Sequence, residues 1–197
     1  MDLFASAWQY AGPAELVAEP GTFLASEAGY IPIVVTRARD GVLRALLNVC
    51  RHRGHVVAEG CGSRATLQCP YHAWTYELDG SLRRAPRSER EPGFDTAGLA
   101  LLPLSVATWG PFVFVNPDRG AAPFEPPGDV EVEGLRFDSH ERREHAEDWR
   151  SALERSESRV LSPNTTIEPS ADGLTIARWV PLRTTEALEA RDLYVRA

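Results

Sequence analysis

The sequence predicts a mainly β protein, a small antiparallel sandwich or barrel followed by a short α+β region. Three observations carry that reading. Between Gly29 and Phe114 the chain consists of short β-branched or aromatic runs, Gly, Pro and Asp punctuate them at turn spacing, and no amphipathic helix lies between them. Residues 31–36 and 42–47 flank Arg39-Asp40-Gly41 and form a hairpin signal. Residues 73–78 followed by Asp79-Gly80 repeat the grammar, and 112–115 ends it before Asn116-Pro117.

After these strands the character of the chain changes. The run Gly-Ala-Ala-Pro-Phe-Glu-Pro-Pro-Gly at 120–128 suits neither a helix nor a central strand, so 121–129 reads as a linker between a domain over 1–120 and a shorter α+β region over 130–197. Within the latter, Ala146, Trp149, Ala152 and Leu153 share one helical face, predicting a helix over 144–158. Acids crowd its start, and Arg150, Arg155 and Arg159 lie toward its end. Residues 165–168 and 174–180 bracket the turn Ala171-Asp172-Gly173, and 190–195 adds a strand.

Composition narrows the function classes. With 43% apolar and 25% charged residues in 197, the chain is neither disordered nor fibrous and has ample length for a core. All 21 basic residues are Arg, and 28 acids leave a net charge of -7, which argues against a nucleic-acid partner. The charge is uneven: 37–90 holds ten Arg against five acids, and 125–159 eleven acids against six Arg. No apolar run reaches the length of a membrane span, and Met1-Asp2-Leu3-Phe4 lacks the features of a signal peptide, so a cytoplasmic location is expected.

Three cysteines, Cys50, Cys61 and Cys69, are an odd number and point to metal binding rather than to a disulfide framework. Cys50-Arg51-His52 and Cys69-Pro70-Tyr71-His72 form two arms separated by 16 residues. Each arm offers one thiolate and one imidazole. A tetrahedral zinc site has the same composition, but usually pairs Cys with Cys on one turn and His with His on a helix. A 2Fe-2S cluster with both Cys on one iron and both His on the other needs two loops that each supply one of each.

Cys50-Arg51-His52-Arg53-Gly54, Cys69-Pro70-Tyr71-His72-Ala73-Trp74-Thr75-Tyr76, the following Asp79-Gly80 and Trp109-Gly110-Pro111-Phe112-Val113-Phe114-Val115-Asn116 together resemble the Rieske domain of ring-hydroxylating (Rieske non-haem iron) oxygenase α subunits, over about residues 8–118. The resemblance implies a Rieske-type antiparallel β sandwich with cluster-binding loops. It implies that Cys50 and Cys69 hold the inner iron of a 2Fe-2S cluster, and His52 and His72 the solvent-facing one. A ferredoxin or flavin reductase is then the expected electron donor, with other oxygenase subunits as further partners. Cys61 reads as a bystander thiol, His55 as a surface or packing residue, and Trp74, Tyr76 and Trp109 as core aromatics that shield the cluster.

The family's second domain binds one catalytic Fe(II) through two His and a carboxylate. Glu147-Asp148-Trp149-Arg150-Ser151-Ala152-Leu153-Glu154 resembles the helix start that leads to those ligands, but no His follows His145, and the middle of that domain reads as deleted. His140 and His145 have the family's His-x4-His spacing with Asp138 near, yet they precede Trp149 and read as a solvated charged stretch. A mononuclear iron and its catalytic residues are therefore not expected. The function expected is single-electron transfer within an oxygenase-like system. The alternatives are an oxygenase α subunit whose mononuclear iron is rebuilt from His140, His145 and an acid or supplied by a partner, and a non-catalytic subunit or redox sensor.

Overall fold

The computed structural model describes residues 3–88, 93–96 and 98–196. In chain order these form β1 (Gln9–Pro13), a 3-10 turn (Ala14–Val17), β2 (Thr22–Ala28), β3 (Ile31–Arg37), β4 (Leu43–Leu47), β5 (Cys61–Ser63), β6 (Thr66–Gln68), β7 (Thr75–Glu77), β8 (Leu82–Arg84), β9 (Pro103–Trp109) and β10 (Phe112–Asn116). There follow β11 (Leu135–His145), α1 (Trp149–Arg155), β12 (Arg159–Ser162), β13 (Thr165–Pro169), β14 (Gly173–Arg183) and β15 (Glu186–Arg196). Among the described residues no helix is long and apolar enough to cross a membrane.

The chain divides into two compact units, a different division from one at 121–129. One comprises Leu16–Ser26 and Pro32–Leu104, the other Met1–Glu15, Glu27–Ile31 and Ser105–Ala197.

In the first unit, β4, β3, β2 and β5 are neighbours in one sheet, and the start of β9 pairs with β4 through Leu104 and Pro103. β6, β7 and β8 form a second sheet. The expected hairpin over 31–47 is present as β3 and β4, paired from Ile33 with Leu47 to Arg37 with Leu43. Its turn is fixed by Asp40, which accepts from Val42 N–H and pairs with Arg44 at 2.6 Å. The Arg44 hydrogen bond, then the Val42 N–H, holds the Asp40 carboxyl down at about 2. Phe23, Val34 and Leu46 from the first sheet meet Leu67 and Tyr76 from the second in one buried cluster, which also contains Cys50 and Cys69. Thr36 Oγ1 donates to Leu78 O at 2.7 Å within this core.

In the second unit, β1 pairs with β10 and β10 with β9, and a five-stranded antiparallel sheet runs in the order β11, β15, β14, β13, β12. Tyr10, Phe112 and Phe114 are buried with Ile167, Leu174, Ile176 and Tyr194. This burial is why 105–116 belongs with the C-terminal strands. A polar network lies inside: Tyr10 Oη donates to Asp192 Oδ2 at 2.6 Å, Tyr194 Oη is 2.7 Å from Tyr10 Oη, and His140 Nδ1 donates to Asp192 Oδ1 at 2.6 Å. Burial first, then the Tyr194 and Asp192 charges, raises the Tyr10 pKa well above its ordinary value. Gly29 has φ +61 and faces Phe4 so closely that a Cβ would sit 2.2 Å from that ring, so no other residue fits this turn without displacing it.

Two expectations are corrected here. The helix over 144–158 shrinks to α1, because Glu144 and His145 belong to β11, paired with Leu188 and Ala187. Asp148 caps α1 by accepting from Arg150 and Ser151 N–H. The stretch around His140 is solvated, as expected, but it is a strand: β11 is a charged sheet edge, which suits exposure. The 121–129 segment has no regular structure, yet Phe124 stacks on Phe114 at 4.4 Å and Trp8 Nε1 donates to Ala122 O at 2.9 Å.

Candidate metal centre

Both arms sit on loops of the first unit, and the loops share one hydrogen-bond frame. Cys50 N–H donates to His55 O at 2.8 Å and Gly54 N–H to Cys50 O at 3.0 Å; likewise Cys69 N–H donates to Trp74 O at 2.8 Å and Ala73 N–H to Cys69 O at 3.0 Å. The fifth residue of each loop, counting from its cysteine, is left-handed: Gly54 at φ +72 and Ala73 at φ +58. The first loop is also pinned from within. Asn48 Oδ1 accepts from Val57 and Ala58 N–H, and its Nδ2 donates to Ala58 O at 2.8 Å.

The frame buries both thiols, with Cys50 3% and Cys69 2% exposed. They lie within hydrogen-bonding reach of each other, and Tyr71 and His72 N–H point at the Cys69 sulfur. Burial, the largest effect, raises the Cys69 thiol, and those two N–H groups oppose it. The imidazoles form the other pair: the His52 and His72 rings lie 4.7 Å apart at 70°. Desolvation first, then the charges of His52, Arg53 and Arg87, holds His72 below its ordinary pKa, favouring the neutral ring that a metal needs. Arg51, His52, Tyr71, His72, Trp74 and Phe94 border a surface groove of about 720 Å³.

Two thiols together, two imidazoles together and a buried His72 Nδ1 without a hydrogen-bond partner among the described residues fit a two-iron group with unlike ends. Among the described residues no three His, Cys, Asp or Glu converge on a single ion.

Tyr76, expected only as a core aromatic, does more. Its hydroxyl accepts from Arg51 N–H at 3.0 Å and lies 3.4 Å from Cys50 Sγ, so its proton is directed at the sulfur. Burial, then Cys50, raises its pKa far above the usual phenol value, so it stays a donor. The available signal was that a buried Tyr requires a partner for its hydroxyl. Trp74 meets the expectation of an aromatic beside the site, lying flat on His52. Trp109 does not: it packs on Phe112 at 5.4 Å, at the edge of the other unit's core. His55 stays outside the donor set, with Nδ1 2.7 Å from Val56 O, and Cys61 is exposed on β5.

His140 and His145 are not brought together. Five residues apart on one strand, they project to opposite faces, and each is paired with its own carboxylate: His140 with Asp192, and His145 Nε2 with Glu189 at 3.2 Å. This removes the basis for rebuilding a mononuclear site from the pair.

A β fold that presents paired thiols and paired imidazoles from two like loops defines an iron–sulfur protein. Residues 7–108 match the Rieske 2Fe-2S domain, and the chain belongs to that family, whose cofactor is a 2Fe-2S cluster. Choline monooxygenase of Spinacia oleracea, a chloroplastic protein, is 38% identical over 146 residues, 74% of this chain and 33% of that protein. The carnitine monooxygenase oxygenase subunit of Acinetobacter pittii is 38% identical over 120 residues, 60% of this chain and 32% of that protein. The apo form of the quaternary ammonium Rieske monooxygenase CntA superposes with a TM-score of 0.82 at 26% identity, over 98% of this chain and 69% of that one. Naphthalene 1,2-dioxygenase from Rhodococcus sp. gives a TM-score of 0.84 over 98% and 69% of the two chains, and at 17% identity shows the fold alone. The chain spans about a third of the length of these curated relatives. It is a Rieske oxygenase-like protein.

Proposed function

We propose that this chain is the cluster-carrying part of an oxygenase α subunit of the kind that oxidises quaternary ammonium compounds. The observation that carries the reading is the separation of donors into a buried thiol pair and an imidazole pair at a surface groove. Cys50 and Cys69 hold the inner iron, and His52 and His72 the outer one. When bound, the cluster supplies a one-electron redox centre, and its two imidazole ligands raise its potential above that of an all-thiolate site.

The chain's own residues tune that centre. Tyr76 O–H and the Tyr71 and His72 N–H groups place partial positive charge at the two sulfurs, favouring the more electron-rich state. Arg51 and Arg53 give the loop surface a positive character suited to the acidic face of a ferredoxin or flavin reductase. In this reading 1–120 is the Rieske domain, 121–129 the connection and 130–197 a part of the catalytic domain. The oxygenating iron lies on another part of the protein or on a partner subunit, since His140 and His145 are committed to separate carboxylates. The substrate class follows the relatives named for choline and carnitine. We place the protein in the cytoplasm, where its free thiols stay reduced.

The test is anaerobic reconstitution followed by iron and sulfide analysis and electron paramagnetic resonance of the reduced protein. The expected result is two irons held through Cys50, Cys69, His52 and His72, with the low average g value of a His-ligated cluster. Stoichiometric zinc and no colour overturn it. Supplied with a reductase, oxygen and a partner carrying the mononuclear iron, choline or carnitine is the expected substrate. A chain that cycles its cluster but supports no such oxidation is a stand-alone electron carrier instead.

A further inference from the structure

Trp74 spans the two arms. It belongs to the second loop, whose base it closes through the hydrogen bond from Cys69 N–H, yet its indole lies flat on His52 of the first loop, with centroids 4.9 Å apart and planes 5° apart. The indole is itself held firmly. It is 7% exposed, belongs to the buried cluster of Leu67 and Tyr76, and meets Phe94 edge-on at 6.0 Å.

His52 has little else to orient it. It is exposed, and among the described residues neither ring nitrogen has a hydrogen-bond partner. Its other ring contact is the edge of His72. A metal-ligating imidazole is ordinarily oriented by a hydrogen bond from its second nitrogen, and the torsion that turns the ring is otherwise soft. His72 differs, being half-buried and touching both Tyr71 and His52.

We infer that Trp74 is the positioning residue of His52: its indole sets the imidazole plane, covers one face from water and ties the first loop to the second. The inference rests on the reading that His52 is a cluster ligand. It requires a flat ring at position 74, not merely an apolar one.

The experiment compares reconstituted wild type, Trp74→Phe and Trp74→Leu by electron paramagnetic resonance of the reduced protein and by the half-time of cluster loss to a chelator. Trp74→Phe is expected to keep the wild-type g values. Trp74→Leu is expected to shift or broaden them and to lose its cluster several-fold faster. Wild-type g values and half-time in Trp74→Leu overturn the inference and leave the ligand assignment standing, whereas a wild type without the low-g signal overturns the assignment itself. Should Trp74→Leu not fold, wild type carrying indole-deuterated Trp decides: deuterium couplings in electron-nuclear double resonance support an indole over one ligand imidazole, and their absence overturns it.

Discussion

Replacing Tyr76 by Phe removes one oxygen from the core of the cluster-loop unit and nothing else. That oxygen accepts from Arg51 N–H at 3.0 Å and directs its own proton to Cys50 Sγ at 3.4 Å. Two effects follow. Arg51 N–H loses its partner in a partly buried place, at a stability cost of about 1–2 kcal/mol. The Cys50 sulfur loses a donor whose attraction grows as the site gains electron density, so reduction becomes harder. If the hydrogen bond is worth about 1–2 kcal/mol more in the reduced state, as expected for a charged acceptor, the midpoint potential falls by about 40–90 mV for one electron. A dye-mediated redox titration followed by circular dichroism measures this directly. Reconstituted Tyr76→Phe whose potential matches wild type, or rises, refutes the reasoning and returns Tyr76 to the role of a packing aromatic.

Two further predictions concern the loops themselves. Ala73 holds φ +58 where the matching position of the first loop is Gly54, so Ala73→Gly is expected to stabilise by about 0.5–1 kcal/mol and Gly54→Ala to cost about 1 kcal/mol, read as opposite shifts in melting temperature. A Cβ at Gly54 meets nothing within 4 Å, so that cost is backbone strain alone. The depressed pKa of His72, caused by desolvation and then by His52, Arg53 and Arg87, means that the unfolded chain binds this proton more readily than the folded one. The metal-free protein therefore loses stability as pH falls through the ordinary His value of about 6.5. Arg87→Gln is expected to lessen the fall in melting temperature between pH 8 and pH 5, and an undiminished fall would contradict this.

The two Cys-His arms were legible as a candidate metal centre because ligand chemistry admits few residue types, and the structure brings their thiols together and their imidazoles together. The β3–β4 hairpin was legible because two short apolar runs flank the turn residues Asp40-Gly41. Tyr76 was not, since a hydroxyl that reaches sulfur and an aromatic that merely packs look alike in a strand. The helix over 144–158 was overextended for a different reason: acids before Ala146 suit a helix start, but Glu144 and His145 lie in the ten-pair register of β11 with β15, which decides their state. Nor could spacing reveal that His140 and His145 face opposite ways, because that follows from both lying on one strand, where an odd offset sends two side chains to opposite faces.

The bond from Tyr10 to Asp192 joins residues 182 apart in the chain. Among the described strands β1 is therefore synthesised before the others, and although β10 is there to pair with it once Asn116 exists, its hydrogen-bond network is completed only by β15. Every residue of the unit that carries Cys50, His52, Cys69 and His72 exists once Leu104 has emerged, whereas Tyr10 must wait for β15. During that interval the five residues of β1, all buried in the finished fold, are without the network that Tyr10 later joins. Nascent chains stalled between residues 104 and 186 thus hold all four proposed cluster ligands while the Tyr10 network is still incomplete, and that window is where an iron–sulfur delivery system can act before the second unit is finished.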